Sequence, residues 1–404
     1  MEIYQSGGRR MLTDLKKIAN LSFYIGVVIE VLMVIIDKSA FINPIEGRLF
    51  QFTFLLFLVK ICLTKYSWRE YVAILGFCAL GVISYFVSGR NEIIRLVIFI
   101  AACKDIDMDK CLKLVFYLTL IGCAMLMLLS VTGILGTVSL TQDYGRGKVE
   151  TRYTLGLGHP NALQCMVWAL TTLGIYLYGN EMKWHHYITV LLTNILFFLL
   201  TDSKTSLLVT LYTIILAFIM SDGHSAFVKK TGAWIGGLTT VFSIGISVII
   251  ACNAYRVYNY VWHMDRSSIT RFFVWMNGMM NGRIRILTEN DRFEGTVSTW
   301  RIISGPENSY YFDMGWIRLF YWYGILPACV FIVVLLLAVI YCYRERQYLA
   351  IMLISSFALY SVIEAHAISV YLARNYTFFL IGMVWSRILL YKGENKIENK
   401  KNEH

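Results

Sequence analysis

RYTLGLGHPNALQCMVWAL, from Arg152 to Leu170, begins as a polar stretch punctuated by glycine and runs without pause into apolar sequence. His159 and Asn161 flank Pro160. Proline suits the first turn of a helix, where its missing amide has no partner to lose. The stretch predicts a helix that starts among basic and polar side chains and continues as apolar as a bilayer interior.

Similar runs recur on both sides of it. Segments of about bilayer-spanning length lie near 18–36, 48–64, 71–88, 91–103, 111–134, 159–179, 186–201, 204–221, 231–251, 316–342, 348–363 and 375–391. The expected fold is all-α: a single polytopic membrane domain of about twelve transmembrane helices. The composition agrees. Of 404 residues, 57% are hydrophobic and 16% charged, against about 25% charged in soluble domains. Four prolines speak against linkers and disorder. The first apolar run leads into further spans, so it reads as a span rather than a cleavable leader.

Lysine and arginine in the loops set the orientation. Arg9, Arg10, Lys16 and Lys17 precede the first span, and Lys392, Lys396, Lys400 and Lys401 follow the last. Alternate loops carry Lys104, Lys110, Lys113, Lys229, Lys230, Arg344 and Arg346. Both termini are expected in the cytoplasm. The net charge of +11 follows from this bias and from contact with anionic lipid, and gives no support to nucleic-acid binding. The nine cysteines lie in or beside spans with no CxxC pair. They read as small packing residues, with no disulfide framework and no metal cluster.

Two loops on the outer side are long, 135–158 and 252–315. The second is rich in aromatics, unlike a disordered segment, and is expected to fold with short helices. Within it, RFFVWMNGMMNGRIRIL places apolar residues at 272, 275, 276, 279 and 280, a helical spacing. A helix lying on the membrane surface and a helix packed on the bundle both fit.

The outer side also collects polar side chains. The first long loop brings Arg146, Lys148 and Arg152, and His159 and Asn161 follow at the mouth of the sixth span. A helix N-terminus beside arginine favours phosphate oxygens. The other reading has Arg152 on a lipid headgroup and His159 as a helix cap. PENSYYFDMGWIRLFYWYGI brings Glu307, Asn308, Tyr310 and Tyr311 to the tenth span; DSKTS places Asp202 and Lys204 at a turn, where a local ion pair is expected. IEAHAISVYLARN adds Glu364, His366, Arg374 and Asn375, and Arg95 lies inside the fourth span. His159, Glu307, Asp313 and Glu364 stand isolated in the sequence, without the short spacing of a metal site. No phosphate-binding glycine loop or dinucleotide fingerprint occurs. A substrate for such a surface must carry its own activation, as a lipid-linked pyrophosphate does.

In their order, RYTLGLGHPN, DSKTS, MNGRIRIL, ENSYYFDMGWIRLFYWYGI and IEAHAISVYLARN resemble bacterial polysaccharide repeat-unit polymerases of the Wzy type, within the O-antigen ligase and polymerase superfamily. The resemblance covers roughly residues 90–390. It implies a GT-C-like glycosyltransferase without a nucleotide-sugar domain or cofactor, in the cytoplasmic membrane of a Gram-positive bacterium. Such a protein joins undecaprenyl-pyrophosphate-linked oligosaccharides into exopolysaccharide or capsule at the outer face. A flippase and a chain-length regulator are the implied partners, beside membrane lipid and the lipid-linked substrate.

Arg152, His159 and Asn161 match the family's Arg-loop-His-Pro-Asn motif. Gly282 and Arg283 match its Gly-Arg pair, and Arg271 with Gly282 its Arg-x10-Gly pattern. Glu307 and Asn308 stand where polymerases carry Asp-Asn and ligases His-Asn. The expected roles are His159 as general base, with Glu307 second, and substrate binding by Arg152, Asn161, Arg283, Asn308, Tyr310, Arg95 and Arg374. The rivals are a ligase moving finished glycan to another acceptor, and a flippase. A flippase predicts polar, broken helices at mid-membrane in paired halves; the span interiors are largely apolar, with Glu30 the main exception.

Overall fold

The computed structural model describes the backbone of residues 2–144, 147–289 and 293–401, with side chains from 14 to 390 within those ranges. Arg146 lies outside the described residues. The molecule is 71% helical. The first five helices are α1 (Glu2–Asp37), α2 (Glu46–Cys62), α3 (Trp68–Ser88), α4 (Glu92–Ala102) and α5 (Met108–Val131). A β-hairpin follows, β1 (Ser139–Asp143) and β2 (Val149–Tyr153), and then α6 (Pro160–Tyr178), α7 (Trp184–Thr201), α8 (Lys204–Met220) and α9 (Ala226–Asn253). The long loop folds as α10 (Tyr255–Trp262), α11 (Ser268–Met279) and α12 (Arg283–Ile286). The chain ends in α13 (Gly315–Tyr323), α14 (Ile325–Arg344), α15 (Tyr348–Tyr360) and α16 (Thr377–Lys401).

Among the described residues, six helical stretches are long and apolar enough to cross a membrane: 14–37, 68–88, 108–131, 184–201, 226–262 and 325–344. Lys204–Met220, Tyr348–Tyr360 and Thr377–Leu390 are apolar but shorter. The chain is thus mostly helical, with helices compatible with a membrane.

The all-α expectation needs correcting at the hairpin. Leu140 pairs with Arg152 and Gln142 with Glu150 in antiparallel register. Such short strands leave too little alternation to stand out in sequence.

Two apolar runs that look continuous in sequence are interrupted. The tenth breaks at Gly324, whose φ of 101° lies in the region that favours glycine. A Cβ there would come within 2.6 Å of the Ile302 carbonyl oxygen. The loop closes on this break: the Ile325 and Leu326 amides donate to the Arg301 and Ile302 carbonyls at 2.8 and 3.0 Å. Further on, α15 stops at Tyr360, and residues 361–376 return to α16 through turns and one short 3-10 helix, Leu372–Arg374. Ala365, Ala367, Leu372, Ala373 and Tyr376 on this segment are all buried. Irregular backbone of this kind persists among apolar helices only where protein covers it or it lines a cavity.

Residues on α1 and α4 hold the segment. Arg95 and Glu30 form a buried ion pair at 3.1 Å, their side chains 4% and 1% exposed. Arg95 also donates to the Val370 carbonyl at 2.9 Å, and Glu30 accepts from the Leu372 amide at 3.2 Å. Beneath the segment, α6, α8 and α15 are joined by Trp168 to Ser356 (3.0 Å), Ser356 to Thr213 (2.6 Å) and Ser206 to Tyr360 (2.5 Å). Such bonds serve as glue where apolar burial between helices offers little drive.

Helix α11 packs one side on the protein. Phe273 and Met280 turn inward, while Ile269, Phe272, Trp275 and Met279 remain exposed.

Candidate functional site

Six pieces of chain converge where α6 and α8 begin and α7 ends: the hairpin, the two helix starts, α12, and the segments around Asp313 and Glu364. They enclose a cleft of about 850 Å³, counting its open mouth, lined by Arg152, His159, Asn161, Asp202, Lys204, Arg283, Asp313 and Glu364 among others.

Strand β2 delivers Arg152. Side chains two apart share a strand face, so Glu150 and Arg152 project together and pair at 2.8 Å. Arg152 also reaches Asp202 at 3.3 Å and lies 4.0 Å over the Tyr144 ring. Asp202 therefore pairs across the cleft rather than with Lys204 locally. The hydrogen bond from Arg152, aided by Lys148, holds the Glu150 carboxyl down at about 2.

Opposite stands Arg283, which opens α12 after Asn281 and Gly282 turn through positive φ of 51° and 81°. It is buried, donates to Glu364 at 2.6 Å and faces Asp313 at 3.7 Å. Both arginines keep an Nε–H without a hydrogen-bond partner.

Glu364 sits on the irregular segment 361–376. Gly315 packs so closely that a Cβ would lie 2.6 Å from the Glu364 carbonyl oxygen. The Trp316 amide donates to the Ser361 carbonyl at 3.2 Å, tying α13 to the same stretch. Burial pushes the Glu364 carboxyl up to about 7, against the pull of Arg283 and Arg374 and with the help of Asp313. An acid of that strength exchanges protons near neutral pH. Glu364 stands isolated in the sequence because Arg283, Asp313 and Glu364 are far apart along the chain and meet only in the fold.

His159 caps α6: its Nδ1 accepts the Asn161 amide at 3.2 Å. Burial and the nearby Arg152 lower its pKa, so the ring is neutral at pH 7. With Nδ1 accepting, the ring proton of the neutral imidazole rests on Nε2. The cap reading predicts that His159→Asn, which preserves a capping acceptor, keeps stability. His159→Ala is expected to lose about 1 kcal/mol of stability. Thermal unfolding of both variants tests this; an equal loss in both removes the cap role.

The helix start open to an anion belongs to α8. Its N-cap, Ser203, makes no side-chain cap, and Ser203, Lys204 and Thr205 line the cleft. The DSKTS turn owes this shape to Asp202, which ends α7 at a φ of 48°.

The remaining predicted residues lie elsewhere. Glu307 pairs with Arg301 at 3.0 Å on the surface, both side chains well exposed. Asn308 is buried in a loop knot, its amide donating to Ser304, Tyr321 and Thr299. The Tyr310 carbonyl accepts from Trp322 at 3.0 Å. Arg95 does not line the cleft; its charge is taken up by the Glu30 carboxylate and the Val370 carbonyl. Arg374 lines a small separate cavity with His366, Cys165 and Tyr376; from there it acts on Glu364 through its charge. Among the described residues, no three His, Cys, Asp or Glu side chains are grouped to hold a metal ion.

No family model matches the chain, and no curated protein or solved structure matches it either.

Proposed function

We propose that this chain is a polysaccharide repeat-unit polymerase of the cytoplasmic membrane, joining undecaprenyl-pyrophosphate-linked oligosaccharides at its outer face. The observation that supports it best is the cleft, where Arg152, Arg283 and the uncapped start of α8 meet a carboxyl poised near neutral pH. Delocalised, planar guanidinium groups suit pyrophosphate oxygens. The twelve-span GT-C-like arrangement with both termini cytoplasmic belongs to this proposal, and so do the flippase and chain-length regulator as partners.

In the proposed reaction, Arg152, Arg283 and the α8 amides hold the donor pyrophosphate. The acceptor hydroxyl gives its proton to the Glu364 carboxylate, and its oxygen bonds to the anomeric carbon. The bond from that carbon to the pyrophosphate oxygen breaks, and the lipid pyrophosphate leaves with the electron pair. The arginines stabilise the charge it gains. His159 Nε2–H and Asn161 supply hydrogen bonds to the sugar or phosphate.

Two measurements test the proposal. Purified protein supplied with lipid-linked repeat units is expected to lengthen them; failure to do so with any such unit from its host removes the polymerase reading. Cysteines placed at Ser139 and Ser298, after replacement of the exposed Cys62, Cys252 and Cys329, are expected to react with an impermeant thiol reagent on intact cells. Labelling of both only after lysis overturns the orientation.

A further inference from the structure

Below the cleft, α5, α6 and α7 leave a groove of about 1050 Å³. Leu120, Ala124 and Met127 of α5, Leu170 and Gly174 of α6, and Phe197 of α7 form its walls. It opens sideways from the bundle, since Leu128 and Leu196 beside it are 63% and 58% exposed. Its few polar groups are mostly turned to protein partners. The Thr189 and Thr193 hydroxyls donate to carbonyls of their own helix at 3.0 and 2.9 Å, and Asn194 donates to Thr171 at 2.9 Å. The surface left for an occupant is almost all hydrocarbon.

The groove and the cleft share two helices. Along α6, Asn161 at the cleft is followed by Val167, Leu170, Thr171 and Gly174 of the groove, two to four turns further along the same helix. Val167, at the upper end of the groove, is six residues below Asn161, about 9 Å at 1.5 Å per residue. On α7, Phe197 is five residues from Asp202, about 8 Å. An amphiphile with its anionic head between Arg152 and Arg283 thus has an apolar groove within two turns of the cleft, around the side of α6. A second apolar groove, about 730 Å³ between α3, α4, α14 and α16, shares no helix with the cleft and meets its segment 361–376 only at Ile368.

We infer that the α5–α6–α7 groove holds the polyprenyl chain of the lipid diphosphate whose head occupies the cleft. This rests on the proposed function and gives the donor lipid its own seat, distinct from the annular phospholipid around the bundle. Small residues at Ala124 and Gly174 leave the width for a branched chain; a Cβ at Gly174 would already stand 3.1 Å from the Phe116 ring.

The test uses the full-length protein in nanodiscs with two diazirine probes, a polyprenyl diphosphate and a phosphatidylglycerol, and maps labelled peptides by mass spectrometry. The polyprenyl probe is expected to label α5, α6 and α7, and unlabelled undecaprenyl pyrophosphate to compete it away. Ala124→Trp, which fills the groove from an exposed position, is expected to reduce that labelling tenfold or more, the scale of steric exclusion from an apolar pocket. Leu120→Trp repeats the block from a second site. Competable labelling that falls on α3, α4, α14 and α16 overturns the groove assignment and leaves the proposed function standing. Equal, non-competable labelling of the groove by both probes reduces it to a place for ordinary lipid and overturns the inference. Absence of any competable label, while the phospholipid probe still reacts, overturns the lipid-diphosphate reading itself.

Discussion

Glu364→Gln is expected to reduce polymer synthesis by about 10²- to 10⁴-fold, the range a positioned general base contributes, with the protein still monodisperse and folded. Glutamine keeps the shape and a hydrogen bond to Arg283 but cannot take a proton. The pH dependence gives a sharper signature. The Glu364 carboxyl sits at about 7, raised mainly by burial. Only the deprotonated form accepts the acceptor's proton, so the rate is expected to fall tenfold per pH unit below 7 and to level off above it. Substrate binding should strengthen the effect. Arg283 now holds Glu364 at 2.6 Å; when donor pyrophosphate draws that guanidinium away, the carboxylate loses its counter-charge and becomes more basic. A flat profile between pH 5.5 and 8, or a Gln variant with a rate near that of the native protein, removes Glu364 as base.

Much of the helical framework was legible because apolar length and caps are local properties. His159-Pro160-Asn161 marked the start of α6 to the residue, and Arg152, His159, Asn161 and Arg283 all line one cleft. The losses have two physical sources. Some features hide inside uniform hydrophobicity: the break at Gly324 lies between Tyr323 and Ile325 in an unbroken apolar run. The others depend on partners far away in sequence. Glu30 and Arg95 each look like a functional charge in a span, and the fold joins them as a pin for residues 370–372. Conversely Glu364 looks isolated until Arg283 and Asp313 arrive beside it. Glu307 and Asn308 stand at a motif position of the resembled family, with glutamate departing from its Asp-Asn and His-Asn forms, and Glu307 lies on an exposed loop while Asn308 closes a turn. A motif position conveys residue type but not whether the side chain points into the site.

The second large effect separates the two arginines. Arg152→Ala and Arg283→Ala are each expected to lose a desolvated charge contact to the donor, about 2–5 kcal/mol, or about 30- to several-thousand-fold at 1.4 kcal/mol per tenfold. Arg152→Lys and Arg283→Lys should also be impaired, because lysine keeps the charge but not the planar fork. Their pH profiles should differ. Arg283 lowers the Glu364 pKa by its charge and its hydrogen bond, so its removal leaves burial and Asp313 less opposed. The alkaline plateau of Arg283→Ala is therefore expected to begin at higher pH than in the native protein. Arg152 is paired with Glu150 and Asp202 instead, so Arg152→Ala should lower the plateau without moving it. Rates of lipid-linked unit extension across pH 6–9, for both variants at equal protein level, decide the matter. If both leave polymer synthesis intact, neither arginine holds the pyrophosphate. If both shift the profile alike, the cleft titrates as one undivided unit, and the division of labour between its two walls fails.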